Sequence, residues 1–119
     1  MFAVDRIDHV EVFVRDIEAA AKWYAEVLGL RELYRWDPAP VMIGAGGTML
    51  ALFPAEAKIE PGHGWHRVAW RTDRTGFEAA QAHLQALGVP FRGPVDHDIS
   101  WSIYFSDPDG HALEITSYQ

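Results

Sequence analysis

Asp96-His97, Tyr104, the run Asp107-Pro108-Asp109-Gly110 and Glu114 bring an acid/base pair, a tight turn and a carboxylate into one C-terminal stretch. With His9 and His66 upstream, Glu114 supplies the donors of a two-histidine, one-carboxylate centre. Such a centre suits Fe(II), Zn(II), Mn(II), Ni(II) or Co(II) and leaves coordination positions open for a substrate or dioxygen. The chain has no cysteine, which removes thiolate sites, disulfides and thiol nucleophiles and leaves any metal to His, Asp or Glu. Glu11 stands two residues after His9 and adds a candidate general base beside the first imidazole.

These residues need strands to aim them, and the sequence repeats one strand-and-helix pattern to do so. His9 opens a run that reaches Asp16 seven residues later, and His66 opens one that reaches Asp73 at the same spacing. Over residues 7–14, Ile7, His9, Glu11 and Phe13 alternate with Asp8, Val10, Val12 and Val14, the period of a strand. Asp16 then caps a helix whose stripe is Ile17, Ala20, Ala21, Tyr24 and Leu28, with Gly29 at its end. A second helix runs from about Gly76 through Phe77, Ala80, Leu84 and Leu87 to Gly88. His83 belongs to that helix as an ordinary polar residue.

Further strands are expected at Arg31 to Tyr34, Val41 to Ile43, Thr48 to Phe53, Trp101 to Phe105 and Ala112 to Ser117. Gly44-Ala45-Gly46-Gly47 and Asp107-Pro108-Asp109-Gly110 read as hairpin turns, which makes His111 a turn residue. The expected order is βαβββ twice in one domain of 119 residues, with module one at about 5–54, a linker at about 55–64 and module two at about 65–119. The fold class is α+β. Trp36, Trp65, Trp70 and Trp101 read as core or cavity lining.

Composition narrows the partners. A hydrophobic fraction of 49% supports a packed core without staples, and a formal charge of −7 with scattered Lys and Arg argues against a nucleic-acid partner. The N-terminus carries Asp5, Arg6 and Asp8 and shows neither a secretion signal nor a membrane span, so a cytoplasmic protein without a membrane partner is expected.

Ile7-Asp8-His9-Val10, Leu28-Gly29-Leu30, His66-Arg67-Val68-Ala69 and Asp107-Pro108-Asp109-Gly110-His111 leading into Leu113-Glu114 together resemble the vicinal oxygen chelate superfamily. That group includes glyoxalase I, extradiol dioxygenases, fosfomycin thiol transferases and bleomycin-resistance proteins. The resemblance covers nearly the whole chain. It implies two βαβββ modules forming an open, cupped mixed β-barrel around one divalent ion held by His9, His66 and Glu114. It also implies a homodimer, in which modules can be exchanged, acting on a small molecule with adjacent oxygens.

Within the group, Val95 to Glu114 is most similar to the ring-cleaving dioxygenases. The similarity implies Fe(II) and assigns His97 and Tyr104 to hydrogen-bonding roles beside substrate, with Glu11 as a further catalytic candidate. His63 stands near the place of an additional acid/base histidine in those enzymes, which are far longer. A glyoxalase-like lyase or isomerase is the alternative, although the strand Thr48 to Phe53 lacks the fourth carboxylate ligand. A thiol transferase fits less well, because Val95 to Ser100 is acidic where those enzymes carry a cationic loop. A protein that sequesters an antibiotic or similar small ligand without chemistry is the reading from another class.

Overall fold

Asp16 and Asp73 set where the helices begin. Each side chain accepts a backbone N–H in the first turn, from Ala19 at 3.0 Å and from Gly76 at 2.7 Å, and so satisfies a donor that has no partner within the helix. The second helix consequently starts at Arg74, ahead of the expected Gly76. In the computed structural model, which describes residues 2–3, 5–56 and 66–119, the order is β1 (His9–Val14), α1 (Ile17–Leu28), β2 (Arg31–Arg35), β3 (Val41–Ala45), β4 (Thr48–Pro54), β5 (Arg67–Arg71), α2 (Arg74–Ala86), β6 (Arg92–Asp96), β7 (Ser100–Ser106) and β8 (Ala112–Tyr118). This is βαβββ twice, in two compact units of residues 1–61 and 62–119. From residue 57 onward the expected linker, and His63 and Trp65, lie outside the described residues.

In the first unit the sheet order is β1-β4-β3-β2, with β1 parallel to β4 and the other neighbours antiparallel. One face is a continuous apolar layer: Val12 pairs with Leu52 and Leu52 with Val41, while Leu50 pairs with Ile43. These residues are buried together with Tyr24 and Val27 of α1. Gly29 ends α1 at φ 70° and returns its N–H to the Ala25 carbonyl, a conformation that costs glycine nothing. The hairpin between β3 and β4 turns at Gly46 and Gly47, with φ of 58° and 85°. Two successive positive φ values match the twist of a tight antiparallel hairpin. Arg35 clamps β2 to α1 by binding Glu18 at 2.7 Å and Glu32 at 2.6 Å, and its hydrogen bond holds the Glu32 carboxyl below the usual range.

In the second unit the order is β5-β8-β7-β6, with β5 parallel to β8. Ile103, Phe105, Leu113 and Ile115 are buried with Phe77 and Leu84 of α2. The Asp-Pro-Asp-Gly turn is held by Asp107, whose Oδ1 accepts the N–H groups of Asp109 and His111, each at 2.9 Å. Strand β6 includes Val95 and Asp96, and it is the strand that the expected βαβββ order requires but for which the sequence pattern marked no range. Gly93-Pro94 hid it, since proline gives no ladder donor and survives in sheets mainly at edges, and β6 is an edge strand. Pairing with β7 shifts between Arg92 and Val95. Gly93 has φ 111°, and a Cβ there would sit 2.7 Å from the Ser102 carbonyl oxygen. No helix among the described residues is long and apolar enough to cross a membrane.

Two changes report on this frame. Leu52→Ala removes a side chain with 0% exposure and should cost about 2–5 kcal/mol in denaturant unfolding. Asp73→Ala should cost about 1 kcal/mol by the same measurement, and no loss would show that the cap does not hold α2.

Candidate functional site

His9 is the first residue of β1 and forms the first rung of its parallel ladder, opposite Met49. Its Nδ1 lies 2.8 Å from Asp8 Oδ2, a contact that fixes ring orientation and leaves Nε2 free. Glu11 follows two residues on, exposed and opposite Ala51, on the same face of the strand. The first unit therefore presents an oriented imidazole and a carboxylate side by side.

In the second unit, Ala69, Glu114, Tyr104 and Arg92 pair in succession across β5, β8, β7 and β6. Rung partners share a face, so these four strands present one polar surface. Buried Ser102 donates from Oγ to Glu114 Oε2 at 2.6 Å and lies 3.1 Å from Thr116 Oγ1. Glu114 is thus fixed by a hydroxyl from the neighbouring strand. His97, exposed just beyond β6, brings Nε2 within 2.6 Å of Tyr104 Oη. The two residues expected to work beside a substrate are therefore hydrogen-bonded to each other. Neither ring nitrogen of His97 is fixed as donor by this contact alone, since the hydroxyl can give or accept the proton.

The polar surface contains two cations that sequence reasoning passed over. The Arg67 guanidinium lies 4.7 Å from the Tyr104 ring centroid, and that of Arg92 lies 4.4 Å from it. Arg67 opens β5 and forms its first rung, opposite Ala112. It stands in its ladder where His9 stands in the first. Counting seven residues back from each helix cap selects His66 instead, because β1 has six residues and β5 has five. A shift of one residue changes the face of a strand. Arg67 and Ala69 share the face of Glu114, and exposed His66 stands just ahead of the strand.

The implied metal centre can be tested on these positions. A guanidinium has no lone pair to give and stays protonated, and beside a divalent ion it would repel it. Among the described residues, no three His, Asp or Glu side chains gather closely enough to hold an ion. Beside Glu114 the face of the second unit therefore offers Arg67, a side chain that cannot serve as a ligand. The signal that could have found Arg67 is the ladder start, which requires the partner strand and is absent from the linear spacing. A separate shallow cavity of about 190 Å³ lies beside α2, lined by Phe77, Gln81, Trp101, Tyr118 and Gln119, and includes none of His97, Tyr104 or Glu114.

Known proteins are similar to this chain in sequence and fold. An antibiotic binding protein from Streptomyces sp. CB03234 is 27% identical, with a TM-score of 0.85 over the full length of both chains. A virulence protein of Salmonella typhimurium is 30% identical over 97% of this chain and 85% of its own. A biphenyl-2,3-diol 1,2-dioxygenase of Rhodococcus globerulus is 26% identical over 97% of this chain, which spans only 64% of the dioxygenase. The sequence model of the Glyoxalase/Bleomycin resistance protein/Dioxygenase superfamily matches residues 6–115, and with both βαβββ units in place the chain belongs to that superfamily.

Proposed function

We propose that this member binds a small organic molecule on the polar face of its second module without a divalent ion there. The observation that carries the reading is Arg67, a permanent cation on the face of Glu114 at the first rung of β5. The antibiotic binding protein that matches over the full length of both chains supports a binding role. On this reading Tyr104 and His97 offer a paired hydroxyl and imidazole to ligand oxygens, while Ser102 keeps the Glu114 carboxylate in place. The proposed setting is a cytoplasmic homodimer.

The short His97–Tyr104 bond favours a second reading, in which the chain is a dioxygenase-like enzyme acting on a substrate with adjacent oxygens. Its divalent ion, Fe(II) first, would be held by His9, His66 and Glu114, with Glu11 nearby. Thiol-transfer chemistry would use the same three residues, and glyoxalase-like chemistry would use them without the fourth carboxylate that Thr48 to Phe53 lacks.

Elemental analysis after loading with Fe(II), Zn(II) or Co(II) and desalting separates the two. The binding reading expects no stoichiometric metal in the wild type. Stoichiometric metal that is lost in His66→Ala, or a yellow ring-opened product from a catechol in air after anaerobic Fe(II) loading, would overturn it. Arg67→His places an imidazole on the face of Glu114 and should raise Co(II) affinity by at least about tenfold, since imidazole is a ligand and guanidinium is not.

A further inference from the structure

Positive charge in this acidic chain collects on one sheet face. The sequence has 10 Lys and Arg against 17 Asp and Glu, yet Arg67, Arg71 and Arg92 all stand on the face that carries Glu114. The rungs Arg67–Ala112, Ala69–Glu114 and Arg71–Thr116 fix the first two, and Arg92 pairs with Tyr104. All three are exposed.

Their partners are aromatic. Arg67 and Arg92 both lie over Tyr104, and Arg71 lies over Tyr118 at 4.3 Å. Among the described residues none of the three forms an ion pair, whereas Arg6 is bound to Asp5 and Arg35 to Glu18 and Glu32. Glu114, on the same face, is held by Ser102. Stacking on a tyrosine fixes the plane of a guanidinium and leaves its N–H edge open, and that edge matches the two oxygens of a carboxylate.

We infer that this face is an anion site for a small organic carboxylate, with Arg67 and Arg92 as its charged contacts and the Tyr104 hydroxyl as a neutral one. The inference rests on the metal-free binding reading and names the class of its ligand. The carboxylate is held at the guanidinium edges above the Tyr104 ring, and the remainder of the molecule lies over the open backbone at Ala69, whose small exposed side chain leaves room.

Benzoate and benzamide have nearly the same shape and differ in charge, so calorimetric titration with both at low ionic strength tests the site. Saturable benzoate binding is expected, at least about tenfold tighter than benzamide and weakened by added salt. Arg67→Gln and Arg92→Gln should each weaken it about tenfold, while Arg92→Lys, which keeps the charge, should lose less. Unchanged far-UV circular dichroism would show that these exposed substitutions leave the fold intact. Absence of saturable benzoate binding, equal binding of benzamide, or wild-type affinity in both glutamine variants would overturn the inference. Stoichiometric metal together with Arg92-dependent benzoate binding would overturn the metal-free reading alone and leave the anion site standing.

Discussion

Strand alternation is the constraint on which the site depends. A β-strand sends successive side chains to opposite faces, so the residue that opens a ladder decides which chemistry reaches a given surface. In the first module the opening residue is His9, an imidazole steadied by Asp8. In the second it is Arg67. Two modules with the same order of elements thus begin their parallel ladders with a potential ligand and with a fixed cation. The Arg67 guanidinium over Tyr104 follows from that register, whereas the Ser102 bond to Glu114 and the Arg92 guanidinium over Tyr104 follow from the pairing of β7 with β8 and of β6 with β7.

Much of the fold was legible because local chemistry announced it. Asp16 marked the first helix start, Gly29 and Gly88 the ends, and the Gly46-Gly47 and Asp109-Gly110 pairs the turns, whereas Asp73 stood out only as a repeat position and the second helix starts two residues ahead of the expected Gly76. Strand β6 was not legible, since Gly93-Pro94 breaks the pattern that a strand normally writes and its position at an edge is known only once its neighbours are placed. Glu114, His97 and Tyr104 could be singled out from residue type and order. Arg67 could not, because repeat spacing was measured from helix caps and the two opening strands differ by one residue. That difference is invisible to spacing and decisive for facing.

The polar face also explains why net charge is a poor guide to a local surface. Seventeen acids dominate the chain as a whole, but several are spent at caps, in the Asp107 turn and on Arg35. The arginines of the second sheet stack on tyrosines instead of finding carboxylates. Aromatic stacking orders a guanidinium without neutralising it, so the charge stays available at the surface.

The parallel pairing of β1 with β4, and of β5 with β8, has a kinetic consequence. Each pairing joins the two ends of its module, whereas β3 with β4 and β7 with β8 are neighbours in the chain. The hairpins can form as soon as their turns close, but the opening strand gains its ladder only after a helix and the following strands have been laid down, when most of the loop-closure entropy has been met. The strands that carry His9 and Arg67 are thus the last to be seated by local chain order. The face that carries both Arg67 and Glu114 is complete only when the ladder of β5 with β8 is in place.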